Sequence, residues 1–506
     1  MTEVLALENI TKRFGSLTAN DAVNLTLAQG EILALLGENG AGKTTLMNIL
    51  FGHYAADSGT VRVFGQDLPS GKPRAAIDAG VGMVHQHFTL AGNLTVLDNI
   101  MLGSEPLLRA TSARAAGRKK LLQIAERFGL PVSPDEKISR LSVGERQRVE
   151  ILKALYRDAR ILILDEPTAV LARPEAQRLF ETLKDMTKEG LSLIFISHKL
   201  HEVMDASDRV AVLRGGQMVA ERKTADTSAQ ELAELMVGRK VERPVREDQK
   251  LGAPVLIAKD VCVADGDETR LDGVSFSIAA GEILGIVGVS GNGQASLGAL
   301  VSGLTKPASG TLTLDGQDVI PLGARGMIRA GVGRIPEDRH HEGAVGELSV
   351  WENAVLERLR TPDFSICGFV RQAACKAYAA GLIDRFDIRG ATPDTRTSLL
   401  SGGNMQKLIL GRCLSIGPKL LLANQPTRGL DEGAIAAVHS ELLAARAAGT
   451  AILLISEELE EAVALSDHIQ AMVKGRLSAP IPANQATAQR LGLMMAGIWS
   501  EEDHAA

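Results

Sequence analysis

The sequence predicts an α/β chain made of two tandem copies of one domain, each centred on a mainly parallel sheet. Three observations predict it. First, a glycine-rich loop, Gly37-Glu38-Asn39-Gly40-Ala41-Gly42-Lys43-Thr44-Thr45, sits between the apolar run Ile32–Leu36 and the helix-like run Leu46-Met47-Asn48-Ile49-Leu50. Second, Ile161-Leu162-Ile163-Leu164 and Ser192-Leu193-Ile194-Phe195-Ile196 are continuous apolar runs, as expected of parallel strands covered on both faces. Third, short segments recur at a fixed spacing. Gly30-Glu31-Ile32-Leu33 returns as Gly281-Glu282-Ile283-Leu284, and Gly65-Gln66-Asp67 as Gly316-Gln317-Asp318, both 251 residues on. Leu141-Ser142 returns as Leu400-Ser401 and Pro167-Thr168 as Pro426-Thr427, now 259 residues on, so the second copy carries about eight extra residues in between.

The copies divide the chain into a first domain over 1–238, a linker over 239–253 and a second domain over 254–506. The linker, with Val241-Glu242-Arg243-Pro244-Val245-Arg246-Glu247-Asp248, is rich in charge and proline and reads as short and solvated. Between about Leu97 and Glu136 the periods lengthen and charges multiply, which predicts a mostly helical insert. The tail from Ser500 to Ala506 reads as frayed.

Composition narrows the function. At 506 residues and 45% hydrophobic, each domain can bury a core. The net charge of −6 argues against a protein that coats nucleic acid. No run approaches the roughly 18 apolar residues that span a bilayer, and the N-terminus lacks the layout of a signal peptide. Any membrane role is therefore expected to come through a partner. The cysteines Cys262, Cys367, Cys375 and Cys413 form no C-x-x-C pair and read as reduced thiols of a cytosolic protein.

The loop at 37–45 matches G-x-x-x-x-G-K-[ST] in full and has the strand–loop–helix setting the motif needs. Gly37, Gly40 and Gly42, with Asn39, let backbone N–H groups close around phosphate oxygens at a helix N-terminus. Lys43 is placed to reach the β- and γ-phosphates, and Thr44, followed by Thr45, to face Mg²⁺. Ile161–Leu164 carries Asp165 and Glu166 to a strand's C-terminal end, where α/β sites form. Asp165 reads as a Mg²⁺ holder and Glu166 as the general base for an attacking water. His85 and His87 lie two apart, and His340 and His341 are adjacent; neither pair has the four ligands of a structural zinc site.

Leu141-Ser142-Val143-Gly144-Glu145-Arg146-Gln147-Arg148, just ahead of the Asp165 strand, is a variant of L-S-G-G-Q. With it the chain resembles the ABC-type ATPases over nearly its whole length. The resemblance implies that each copy adds an antiparallel β subdomain and a helical subdomain to the core sheet. It also implies ATP and Mg²⁺ as cofactors. By resemblance Gln86, in Met83-Val84-His85-Gln86-His87-Phe88, senses Mg²⁺ and lines the groove for a transporter's coupling helix. His198, in Ile196-Ser197-His198-Lys199, matches the switch histidine on the γ-phosphate. Phe14, 29 residues before Lys43, takes the place of the aromatic that stacks on adenine.

The second copy keeps the frame and changes the chemistry. Its loop reads Gly288-Val289-Ser290-Gly291-Asn292-Gly293-Gln294-Ala295, with Gln294 for the lysine and Ala295 for the hydroxyl. Its strand end reads Ala423-Asn424-Gln425, so both carboxylates are amides. Glu337 takes the Gln86 position and Glu457 the His198 position, and Asp265 stands where an aromatic is expected. Loss of a positioned general base alone costs roughly 10²–10⁴ in rate. Its signature, Leu400-Ser401-Gly402-Gly403-Asn404, is nearer L-S-G-G-Q, and Asp431 matches the D-loop aspartate where the first copy has Ala172. In the family such domains pair head to tail, one domain's phosphate loop facing the other's signature. The resemblance thus implies one working site using Ser401, Gly403 and Asp431, and one degenerate site of Gly288, Gly291, Gly293, Gln294, Asn424 and Gln425 with Ser142 and Gly144.

Gly291-Asn292-Gly293-Gln294, Pro336-Glu337-Asp338-Arg339 and Gln425-Pro426-Thr427-Arg428-Gly429-Leu430-Asp431 resemble the ATP-binding subunits of ribose/galactose-type and nucleoside importers. Met83–Phe88, Leu141–Gly144 and Pro167-Thr168-Ala169-Val170-Leu171 lean to the nucleoside branch. This implies two transmembrane permease subunits, an indirect link to a substrate-binding protein, no nucleic acid, and a peripheral place on the cytoplasmic face of the inner membrane. The alternatives are the same role in a ribose/galactose-type sugar importer, an exporter ATPase, or a soluble double ATPase acting on ribosomes. The last class usually carries a long charged helical linker and two complete sites, and this chain has neither.

Overall fold

Strands form where apolar residues run without a break, because alternate side chains feed two cores. The structure, a computed structural model, describes residues 2–15, 17–85, 88–104, 113–168, 171, 173–197, 199–238, 240, 244–265 and 268–499. In Ile161–Asp165 and Ser192–Ile196 every residue is buried. Leu162, Leu164, Leu193 and Phe195 enter one hydrophobic cluster, whereas Ile161, Ile163, Ile194 and Ile196 enter the other. The two-residue period of a strand sends neighbours to opposite faces, so both faces must be apolar when both are covered. Each such leucine or isoleucine stabilises the fold by about 1.5–3 kcal/mol relative to exposure.

The chain divides into two compact units, one of Met1–Val241 with Asp431–Gly433 and one of Glu242–Leu430 with Ala434–Ala506. In the first, six strands lie in the order Gln217–Lys223, Arg209–Arg214, Ile32–Leu36, Ser192–Ile196, Ile161–Asp165, Val81–Val84. All neighbours are parallel except the hairpin partner Gln217–Lys223. A separate antiparallel sheet runs Leu17–Ala28, Glu3–Phe14, Ser58–Val63, Gln66–Asp67. Its Val23, Leu25 and Leu27 alternate with solvent-facing residues and join the cluster under the sheet. The expected helical insert is present as Val96–Met101 and Arg114–Arg127, which pack Val96, Leu97, Ile100 and Leu121 against Val149 and Leu152 of the helix Val143–Tyr156.

The second unit repeats this plan. Its larger sheet runs Val332–Ile335, Leu420–Asn424, Ala451–Ser456, Ile283–Val287, His468–Val473, Arg476–Leu477, with Ile481–Pro482 beside His468–Val473. Its antiparallel sheet runs Glu268–Ala279, Pro254–Asp265, Ser309–Leu314, Gln317–Asp318. Within the interval that holds the extra residues, Ser365–Ile366 pairs with Phe369–Val370 across Cys367 and Gly368, both at positive φ. That two-residue turn matches the right-handed twist of a hairpin.

From residue 244 onward the linker is solvated in part, with Val245, Glu247, Asp248 and Lys250 exposed, and is also tied to the second unit. Arg246 Nη1 lies 2.7 Å from Asp467 Oδ1, Arg446 Nη1 donates to Glu247 O at 2.9 Å, and Gln249 Nε2 donates to Gly281 O at 2.6 Å. Asp467 and Arg446 are buried, so the ion pair is shielded from solvent and holds the segment in place. Linker residues 239 and 241–243 and the tail from residue 500 lie outside the described residues. Cys375 and Cys413 are buried, Cys262 is half-buried and Cys367 exposed. Burial pushes the Cys413 thiol up to about 11. Among the described residues no helix is long and apolar enough to cross a membrane.

Candidate nucleotide site

The loop at 37–42 joins the strand Ile32–Leu36 to the helix Lys43–Phe51. Its backbone demands glycine at two places. Gly42 caps the helix at φ 100°, and a Cβ there meets Ala19 O at 2.2 Å. Gly37, at φ 155°, leaves room for Leu213 O, which a Cβ would approach to 2.2 Å. Asn20, fully buried, donates from Nδ2 to Gly42 O at 3.2 Å and fixes the loop from the antiparallel sheet. The Lys43 ammonium is buried and folds back on its own loop, 2.7 Å from Gly37 O and 2.9 Å from Glu38 O. Burial lowers its pKa, against the pull of the nearby Glu166 and Asp165 carboxylates.

Asp165 ends its strand beside this ammonium and is 7% exposed. Burial first, then the neighbouring Glu166 carboxylate, pushes its pKa up to about 6, while Lys43 and a hydrogen bond from Thr44 pull it down. A hydroxyl and a destabilised carboxylate side by side form a hard oxygen donor set, and a divalent cation there relieves the carboxylate's desolvation. The residues present therefore fit Mg²⁺. Glu166 follows at φ 47°, its N–H donating to Ile196 O at 3.0 Å. A left-handed non-glycine residue costs of order 1–3 kcal/mol and turns the side chain off the strand direction. Phe14 is 44% exposed, edge-on to Tyr54 at 5.6 Å, with the Lys12 ammonium over its ring at 5.5 Å from the centroid.

Gln86, His87, His198, Ala169, Val170 and Ala172 lie outside the described residues. His85 stacks on His53 at 5.5 Å between centroids, and burial first, then His53, lowers its pKa. His341 is paired with Asp338 at 2.9 Å. Among the described residues no group of three or more potential ligands is arranged to hold a metal without substrate.

In the second unit the loop keeps its form. Gly291 and Gly293 have φ 89° and 116°, and Gln294 Nε2 donates to Val289 O at 3.0 Å, the counterpart of the Lys43 bond to Glu38 O. Asn424 and Gln425 are buried, and Gln425 repeats the left-handed turn at φ 48° with its N–H 2.8 Å from Ile455 O.

The two signature helices differ in what their serine can offer. Ser142 caps Val143–Tyr156 in a capping box, and its hydroxyl donates to Glu145 Oε2 at 2.9 Å. Ser401 caps Gly402–Leu414, but its hydroxyl accepts from Asn404 Nδ2 at 3.0 Å. The Ser142 proton is thus spent on a carboxylate that would repel a phosphate, whereas the Ser401 proton is available to donate. Gly403 leaves its Cβ position bounded by Ala434 Cβ at 3.3 Å.

Sequence reading missed the buried carboxylates that tie each strand end to the next loop. Glu202 accepts from Thr168 Oγ1 at 2.6 Å and from Ser197 Oγ at 2.9 Å. Glu461 does the same with Thr427 and Ser456, each at 2.6 Å. The signal was present, because Glu202 and Glu461 obey the same 259-residue spacing as Thr168 and Thr427.

A phosphate loop, a two-carboxylate strand end and a serine-capped helix on this layered sheet define an ATPase cassette, and the second copy repeats its frame with amides at the strand end. A family model described as ABC transporter matches residues 20–169 and 271–428. The chain belongs to the ABC transporter family. It is 46% identical to the guanosine import ATP-binding protein NupO of Bacillus subtilis (strain 168), over 99% of each chain. It is 44% identical to the glucose import ATP-binding protein TsgD13 of Haloferax volcanii, over 97% of this chain and 96% of that one. A solved complex of archaeal ribosomal stalk protein aP1 with the ribosome recycling factor aABCE1 matches 97% of this chain and 92% of that one, with TM-score 0.64 and 19% identity, which is a likeness of fold alone.

Proposed function

We propose that this chain energises a membrane importer, with nucleosides as the cargo, and that only its first phosphate loop turns ATP over. The observation that carries the reading is the buried Asp165, held by Thr44 next to Lys43, against Asn424, Ala295 and Gln294 at the matching places. In the first cassette Lys43 neutralises the β- and γ-phosphates, Phe14 stacks on the adenine, and Glu166 takes the proton of the attacking water. Thr44, Asp165 and Gln86 hold Mg²⁺, which when bound draws charge from the phosphates. His198 contacts the γ-phosphate. Ser401 and the backbone of Gly403, with Asp431, complete this site, a role supported by the free Ser401 proton and by the complementary motif losses in the two copies.

The import ATP-binding relatives support attachment through two permease subunits on the cytoplasmic face of the inner membrane, with a substrate-binding protein delivering cargo. The guanosine-importing relative favours nucleosides. The glucose-importing relative is nearly as similar, so a simple sugar is the second reading. Phosphate release by the assembled transporter tests the chemistry: Glu166→Gln stops turnover and Gln425→Ala leaves it within about twofold. Equal losses from the two variants overturn the assignment. Uptake of labelled guanosine against labelled ribose, with and without the chain, decides the cargo.

A further inference from the structure

The second phosphate loop is not simply missing parts; it holds a carboxylate of its own. The strand Ala451–Ser456 runs parallel to Ile283–Val287, with Ser456 opposite Val287. The next residue on each strand is therefore Glu457 and Gly288, so Glu457 emerges at the mouth of the loop. The Ser290 side chain, inside that loop, is among the groups that act on the Glu457 carboxylate. The Glu457 N–H faces Gln425 Oε1 at 3.4 Å, on the left-handed turn at φ 48°. Burial, foremost, and the nearby Glu337 raise the Glu457 pKa; Arg428 and the Ser290 side chain oppose this.

Of the arginines near it, Arg339 donates to Arg428 O and lies against Gly402. Arg428, whose charge acts on Glu457, is already paired with Glu337. The first loop's ammonium is replaced by the Gln294 amide, whose Nε2 is used on Val289 O and whose buried Oε1 has no partner. An acceptor oxygen there meets a phosphate oxygen as a repulsive contact. Ala295 and Asn424 remove the hydroxyl and carboxylate that would bring in a compensating divalent cation.

We propose that Glu457 is the specificity-determining residue of the second cassette: it occupies the seat of a terminal phosphate and turns nucleoside triphosphates away, so that each chain binds one triphosphate and not two. The inference rests on the reading that the first cassette binds ATP. Two like charges about 4 Å apart near a protein surface repel strongly enough to cost orders of magnitude in affinity. Glu457 is partly solvated, which reduces the effect to roughly tenfold to a hundredfold.

The test is equilibrium dialysis of the full chain against a labelled, non-hydrolysable ATP analogue with Mg²⁺, compared with labelled ADP. Wild type binds one equivalent of the analogue. Glu457→Gln keeps an acceptor for Ser290 but loses the charge, and gains a second equivalent with affinity raised at least tenfold. Glu457→Asp, which keeps the charge, behaves as wild type. In wild type ADP, lacking the terminal phosphate, competes for the second loop at least tenfold better than the analogue. Two equal sites in wild type, or one equivalent in both wild type and Glu457→Gln, overturn the inference while leaving the first-cassette reading standing. No binding of the analogue by any form overturns that first-cassette reading instead, and the inference with it.

Discussion

Replacing Asp165 with asparagine should make the ligand-free protein more stable at neutral pH while removing its catalysis. The Asp165 pKa rises from an ordinary value of 3.8 to about 6, chiefly through burial. A carboxyl whose folded pKa exceeds its unfolded one binds protons more tightly in the folded state. Stability is therefore lost as pH rises from about 4 to about 6, and the full penalty persists above that. A shift of about two units corresponds to a ceiling of ~3 kcal/mol at pH 7.5. Asparagine cannot ionise and can still accept from Thr44, but it no longer balances Lys43, which returns part of the gain. The expected net gain is about 1–2 kcal/mol, or a rise of roughly 3–6 °C in Tm for a domain of this size. Scanning calorimetry of wild type and Asp165→Asn at pH 7.5 and at pH 4 measures it. Mg²⁺ should raise the wild-type Tm at pH 7.5 and leave the variant unmoved, since a cation relieves a penalty the variant lacks. A variant no more stable than wild type at pH 7.5, or equally more stable at pH 4, refutes the reasoning.

Two further outcomes follow from the two copies. Gly403→Asp should cut ATP hydrolysis by the assembled transporter at least a hundredfold, because it places a carboxylate beside the Ser401 donor; Gly144→Asp should cost less than tenfold, and the reverse order in a phosphate-release assay refutes the assignment. Glu202→Ala should lower the stability of the first cassette by about 2–4 kcal/mol in urea unfolding, because Thr168 and Ser197 lose a buried charged acceptor. Glu461→Ala should do the same to the second, and loss confined to one cassette would contradict an equivalent clamp.

The parts of the fold readable in the sequence were those encoded locally. Ile161–Asp165 announces itself as a two-faced strand because its neighbours serve two cores. The loop before Lys43 is readable because glycine alone tolerates the backbone of Gly42 against Ala19 O. What escaped depends on contacts distant in the chain or on the direction of a hydroxyl. Arg246 meets Asp467 across 221 residues, so the tie that holds a charged, largely exposed segment to the second unit was not readable. The difference between Ser142 and Ser401 lies in whether the third residue on is Glu145, which accepts from the serine hydroxyl, or Asn404, which donates to it. Gln86 and His198, the two residues whose roles rest most on resemblance, lie outside the described residues.

The left-handed turn at Gln425 has an evolutionary meaning. A strained residue is retained at φ 48° although the side chain it aims is no longer a base. The second cassette repeats the costly backbone of the first at this turn while carrying different side chains on it. Gln294→Lys, Ala295→Thr, Asn424→Asp, Gln425→Glu, Glu337→Gln, Glu457→His and Asp265→Phe are among the exchanges that separate the second copy's machinery from the first's. A backbone turn shared across such exchanges is a standing reserve on which a second power stroke could be selected.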